Sequence, residues 1–304
     1  MARIFIFGLG YTASRLAKYL RSQGWAVEGT GSREGCLFDD EERVASGVAR
    51  AQVVLSCVPP DRGSGSDPVL ERYGRYLSGQ QLSGQTSGQW LGYLSATGVY
   101  GDRQGAWVDE STPTGSGRRS SRAECDTAWL AKGARVFRLS GIYGPGRSVL
   151  DRVRQGTAQR IDLPGQVFSR AHVDDIVSAI AAAIEAGAPP GPYNIADDLP
   201  CSQNAVVEEA CRLLGREPPL LRTLEQADLS PMARGFYAEN RRVANGKAKR
   251  LLGWRPRYPT YVEGLRAILA ASGTAGAGTD RARSATAMPT SASTPPAAAS
   301  GDQR

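Results

Sequence analysis

The sequence predicts an α/β fold built on a doubly wound parallel sheet. Three observations carry that expectation. The first thirty residues read strand, turn, helix, strand. Apolar strand-like runs then alternate with helical stretches for more than a hundred residues. The opening turn is glycine-rich and lies between a strand and a helix. Alternating strands and helices of this kind need crossover connections, and those place parallel strands in one sheet with helices on its faces.

Arg3-Ile-Phe-Ile-Phe7 is β-branched and aromatic throughout, as expected of a strand buried on both faces. Gly8-Leu-Gly10 breaks it. Leu16, Ala17 and Leu20 then recur at helical spacing, and Gly24 marks the helix end. Ala26-Val-Glu-Gly-Thr30 reads as the second strand. Further strands are expected over residues 52–57, stopped by Pro59-Pro60, over 90–95, and over 134–139. Helices are expected over 120–132, 173–186 and 202–214, the last ended by Gly215, with a final helix over 262–271. The Gly-, Ser- and Gln-rich residues 78–88 read as a loop. Beyond about Gly146 strand signals thin out, so the later part reads as a mostly helical substrate lobe that shares elements with the sheet. Residues 1–270 are thus expected as one domain. Residues 271–304 hold no Trp, Tyr, Phe, Leu, Ile or Val, and are expected to be disordered because they cannot bury enough apolar surface.

Composition excludes some classes. The chain has 304 residues, a net charge of +7, five cysteines and one histidine. No CxxC spacing occurs, and a single histidine argues against a zinc site, so no metal is expected. Free thiols fit a reducing, cytoplasmic setting. No apolar run approaches the roughly 20 residues of a membrane span. A basic surface favours phosphorylated ligands or nucleic acid, although an Arg-rich proteome explains the charge more simply. A monomer and a homodimer are equally compatible with the sequence.

Gly8-Leu-Gly10-Tyr-Thr-Ala13 fits GxGxxA. Its place after a strand and at the opening of a helix makes it a Rossmann-type dinucleotide turn. Gly8 permits the tight turn, and Gly10 lets a diphosphate approach the backbone. Ala13 allows close helix–strand packing, with Tyr11 and Thr12 completing the first turn. The second strand ends in Gly29-Thr-Gly-Ser-Arg33, with no acid at its tip and Glu28 just before it. Ser32 and Arg33 suit a ribose 2′-phosphate, so NADP is preferred over NAD.

From these residues the chain resembles the extended and atypical short-chain dehydrogenase/reductases, in particular the NAD(P)-dependent epimerase/dehydratase family. Five landmarks in order carry the resemblance: Leu94-Ser-Ala-Thr-Gly-Val-Tyr-Gly101, Val108-Asp-Glu-Ser-Thr-Pro113, the run from Phe137 to Arg147, His172-Val-Asp-Asp175 and Tyr193-Asn-Ile195. The resemblance implies a seven-stranded sheet with a small C-terminal substrate lobe. It implies that Ser56, Cys57, Val58 and Pro59 line the adenosine side, that Asp39 approaches the adenine, and that Leu139, Gly141 and Ile142 lie beside the nicotinamide. It likens Arg147 and Arg170 to substrate-face residues, and His172 to a packing residue.

The family's catalytic Tyr and Lys, four residues apart, are missing. Counting back from Glu124, their places hold Ser116 and Ser120, and Ala96 stands where a Ser or Thr is usual. A lysine cation lowers a tyrosine pKa from near 10, and arginine is no substitute as a proton donor. Ser95, Thr97 and Tyr100 are the remaining candidates for catalysis. The expectation is an atypical NADP-dependent oxidoreductase or nucleotide-sugar epimerase/dehydratase-like enzyme, acting on a small substrate that is nucleotide-linked or anionic. Two alternatives stay open: a non-catalytic NADP(H)-binding sensor or scaffold, and an RNA-binding relative. The second is disfavoured because no interleaved aromatic–basic patch is present.

Overall fold

The computed structural model describes residues 1–78, 88–115 and 120–284. Most of the expected loop, Ser116, and residues 285–304 lie outside the described residues. The chain divides into a unit Met1–Arg266 and a second unit Ala267–Arg304.

Six parallel strands form the main sheet: β1 (Arg3–Phe7), β2 (Ala26–Thr30), β3 (Val53–Ser56), β4 (Trp90–Ala96), β5 (Arg135–Leu139) and β6 (Gly191–Ile195). Their spatial order is β6-β5-β4-β3-β1-β2. The helices are α1 (Tyr11–Ser22), α2 (Glu41–Arg50), α3 (Pro68–Tyr73), α4 (Ser120–Ala131), α5 (Val149–Arg154), α6 (Val173–Glu185), α7 (Gln203–Leu214), α8 (Pro231–Tyr237), α9 (Gly246–Leu252) and α10 (Tyr261–Ser284).

Period-two alternation in β1 builds a core on each face of the sheet. Ile4 and Ile6 pack with Leu16 and Leu20 of α1 and with Ile176 and Ile180 of α6. Phe5 and Phe7 point the other way, to Val44 and Val48 of α2, Tyr73 of α3 and Trp129 of α4. Each such fully buried large side chain contributes about 1.5–3 kcal/mol. The α6 contribution ties the segment after Gly146 into the sheet's own core.

Three expectations are corrected. The implied seventh strand is reduced to one parallel bridge, Thr30↔Cys36, beyond β2. Only the five residues Gly31–Gly35 separate the two, too few for the crossover that would align a full parallel strand. The stretch after Gly146 is less purely helical than its composition suggests, since it supplies β6. Gly191-Pro-Tyr-Asn-Ile opens on glycine and proline, and the strand lies at the sheet edge, where proline is tolerated. Helix α10 also continues past Ala271 to Ser284. No proline lies in that stretch to break it.

One polar network crosses the sheet's interior. Asp126 of α4 accepts from Ser95 Oγ (2.7 Å), Arg138 Nε (3.0 Å) and Arg138 Nη2 (2.7 Å). Arg138 Nη1 donates to the Tyr100 hydroxyl (3.0 Å), which donates to Asn194 Oδ1 (2.7 Å). The Asp126 side chain is fully buried and that of Arg138 nearly so. Removing one charge of a buried pair leaves the other uncompensated, at about 3–5 kcal/mol. Asp126→Asn keeps the shape and loses the charge, so its denaturant midpoint should fall, and the unfolding free energy extrapolated from it should drop by about 3–5 kcal/mol. An unchanged midpoint would show that the pair is not a structural tie.

Candidate functional site

β1 lies between β2 and β3, and the chain passes from β2 back across β1 to β3, so a crevice opens between the C-terminal ends of β1 and β3. Ligands bind at such switch points in open α/β sheets. The chain leaving β1 turns there at Gly8, with φ +84°. Thr30 at the tip of β2 holds the turn, accepting Gly8 N–H on its hydroxyl (3.0 Å) and Leu9 N–H on its carbonyl (2.8 Å). Gly10 is the N-cap of α1, and no side chain caps this end. A Cβ on Gly8 would come within 3.1 Å of Val58, whereas one on Gly10 would meet nothing within 4 Å. The turn is therefore packed from behind and open in front, and the first-turn amides of α1 are left facing that opening.

A cleft of ≈ 930 Å³ runs from this turn into the substrate lobe. Gly8, Gly10, Tyr11, Thr12, Ala13 and Cys57 line its near end, and Leu139, Gly141 and Ile142 lie further along. Tyr11 closes over the turn, with its hydroxyl donating to Pro145 O (3.1 Å) and the Arg15 guanidinium stacked 4.0 Å from its ring. Ser56 is buried at the end of β3 and its hydroxyl has no partner among the described residues. Val58 and Pro59 are not among the residues that line the cleft.

At the tip of β2, Ser32 and Arg33 are exposed, and no partner is recorded for the Arg33 guanidinium among the described residues. Glu28 is turned away from the tip, bound to Arg50 (2.8 Å) and near Arg3 (3.7 Å). Asp39 is a correction. It does not line the cleft, and its exposed carboxylate lies 3.8 Å from Arg72 of α3, because the next residue, Asp40, caps α2 and turns the chain outward.

The catalytic candidates separate. Tyr100 is corrected: it is fully buried, does not line the cleft, and its hydroxyl serves Arg138 and Asn194. Ser95 lines the cleft, but its proton is given to Asp126. Thr97 lines the cleft, and its hydroxyl has no recorded partner among the described residues. Ser120 is the first residue of α4, exposed, while Ser116 lies outside the described residues.

Arg147 lines the cleft, exposed, with its guanidinium 5.8 Å from the Tyr11 ring. Arg170 also lines it. Its guanidinium donates to Phe168 O (2.9 Å), Cys201 O (3.2 Å) and Gln203 Oε1 (3.1 Å), so it fastens backbone together. Sequence reasoning missed Arg122 and Arg152, which line the same cleft. Their signal was weak, since arginine is common throughout this chain. His172 caps α6 by accepting Asp174 N–H on Nδ1 (3.2 Å), and burial lowers its pKa. Among the described residues no helix is long and apolar enough to cross a membrane, and no His, Cys, Asp or Glu group could hold a metal ion.

No family model matches the chain. It is similar to a functionally unknown conserved protein of known structure from Silicibacter pomeroyi DSS, with 40% identity over 89% of this chain and 99% of that one and a TM-score of 0.80. It is also similar to a protein from Methylobacillus flagellatus, provisionally described as an NAD-dependent epimerase/dehydratase. That match has 26% identity over 89% of this chain and 98% of that one, with a TM-score of 0.67. A 3-diazoavenalumate denitrifying reductase from a Streptomyces species is 35% identical over 144 residues, 43% of this chain and 45% of the reductase. The match thus spans less than half of that enzyme's length.

Asp197, just past the end of β6, is buried, and both its carboxylate oxygens lack partners among the described residues. Burial raises its pKa to about 7. A carboxyl raised in the folded state stabilises the fold fully below its unfolded pKa and loses that contribution as pH rises toward 7. Stability should therefore decline between about pH 4 and pH 7, by an amount on the order of a few kcal/mol. Asp197→Asn should flatten that decline in thermal melts, with little change at pH 4 and a higher Tm at pH 8. Parallel pH profiles for the two proteins would contradict this.

Proposed function

We propose that this chain is a member of the extended and atypical short-chain dehydrogenase/reductases of the NAD(P)-dependent epimerase/dehydratase family and an oxidoreductase that prefers NADP(H). One observation carries the reading: the Gly8–Gly10 turn is clamped by Thr30 and opens an uncapped helix toward a cleft. The donor set fits a dinucleotide. The Tyr11, Thr12 and Ala13 amides accept a diphosphate at the positive end of α1. Ser32 and Arg33 pair a 2′-phosphate. Glu28, which might otherwise compete for a ribose, is already bound by Arg50.

When bound, the nicotinamide supplies or takes a hydride. The protein's part is positional. Leu139, Gly141 and Ile142 form the wall beside the ring site, and Thr97 presents a hydroxyl to the same space. Thr97 orients the substrate oxygen and passes it a proton that solvent must replace, because no Tyr–Lys pair stands behind it. The substrate is a small molecule, anionic or nucleotide-linked.

A second reading has its own support. Ser95 and Tyr100 are both engaged within the fold, which favours a non-catalytic NADP(H) sensor or scaffold. Turnover separates the two. With NADPH and a panel of carbonyl substrates, the enzyme reading expects oxidation of NADPH. Thr97→Val should lower kcat about a hundredfold while leaving the NADPH Kd unchanged. NADPH binding without turnover on any substrate would establish the sensor reading instead. Arg33→Ala should weaken NADPH binding at least about tenfold, the worth of one charge-assisted hydrogen bond, and leave NADH binding unchanged. Equal losses for both cofactors would remove the 2′-phosphate assignment.

A further inference from the structure

We infer that the lobe end of the cleft is built for an anion carried on a flat apolar body, an aryl carboxylate or aryl phosphate, rather than for a nucleotide sugar. The inference rests on the oxidoreductase reading above and names the substrate class for that site.

The charge comes first. Two carboxylates line the cleft, and both are engaged. Glu239 holds Arg241 (2.9 Å). Asp151 closes the capping box of α5 and lies 3.3 Å from Arg154. Arg170 is fixed by backbone carbonyls. Arg122 donates to the Tyr93 hydroxyl (3.1 Å), and Arg147 lies by the Tyr11 ring at the turn end. Arg152, within α5, remains at the lobe end, and its guanidinium has no hydrogen bond or ion pair among the described residues. A cation partly withdrawn from water without a counter-charge is unfavourable, and burial lowers the Arg152 pKa. A bound anion removes that penalty.

The walls come second. Phe168 and Tyr237 meet edge to face, with ring centroids 5.5 Å apart. Val167, Val206 and Leu229 extend the apolar surface. Sugar hydroxyls need paired donors and acceptors, and a buried polar group left unpaired opposes binding. The polar side chains on this wall are partly taken: Gln203 Oε1 accepts from Arg170 (3.1 Å) and Ser169 Oγ accepts from Val243 N–H (2.9 Å). A ring packs against such a surface, and its acidic group then lies toward Arg152.

The test titrates the full chain, with and without saturating NADPH, against trans-cinnamate, phenyl phosphate, cinnamyl alcohol and UDP-glucose. At least one aryl anion should bind at least about tenfold more tightly than the neutral alcohol, the loss expected for an unmade charge-assisted bond. Cinnamate and phenyl phosphate distinguish a carboxylate site from a phosphate site. Arg152→Gln should weaken the aryl anion and leave the alcohol and NADPH affinities unchanged. UDP-glucose binding more tightly than both aryl anions, an alcohol equal to its acid, or no aryl anion binding at millimolar concentration would each overturn the inference. The NADPH titration is read separately, so loss of the cofactor reading is distinguishable from loss of this one.

Discussion

Thr30 fixes the geometry on which the cleft depends. It receives two consecutive amides of the Gly8 turn, one on its hydroxyl and one on its carbonyl. That double contact joins the tip of β2 to the end of β1 and sets the angle at which α1 begins. Gly8 must adopt a positive φ there, and only a glycine does so without strain. Because Gly10 then caps α1 with no side chain, the helix's positive end faces the cleft unneutralised. Sheet order, turn and helix thus converge on one demand, a negative group at that point.

A second constraint lies behind the cleft. The Asp126–Arg138 pair draws Ser95, Tyr100 and Asn194 into one chain of hydrogen bonds linking β4, α4, β5 and β6. In a low-dielectric interior every member must be satisfied, and here every bond is made. The same network removes two hydroxyls from use in the cleft. Thr97 then stands with Ser140 and Tyr143 among the hydroxyls that line the cleft without a partner among the described residues. Structural economy around the ion pair and poverty of proton-transfer groups at the site are therefore one fact seen from two sides.

Much of this was legible in the residues. β1 and β2 fall where alternation and glycine placement predict, because short apolar runs bounded by turns admit few other readings. The glycine turn was legible because its spacing is dictated by backbone geometry. β6 was not, since glycine and proline mask a strand that an edge position tolerates. The fate of Tyr100 was not legible either, because which way a phenol points depends on Arg138, nearly forty residues away. One signal was present: two arginines inside the apolar run 134–139, a charge in a strand buried on both faces, require a partner. What the Asp39 and Arg170 side chains bind was not legible for a similar reason. A motif position fixes where a backbone goes, while Arg72 and the carbonyls of Phe168 and Cys201 decide what the side chains do.

The cleft thus carries positive charge at both ends, with the helix amides and Arg147 by the turn and Arg152 in the lobe. The most direct measurement is a calorimetric titration of the full chain with NADPH and, separately, NADH. The account predicts one site per chain, with NADPH bound more tightly than NADH. No heat from either cofactor at millimolar concentration would contradict it, leaving a turn of the right shape with nothing to hold.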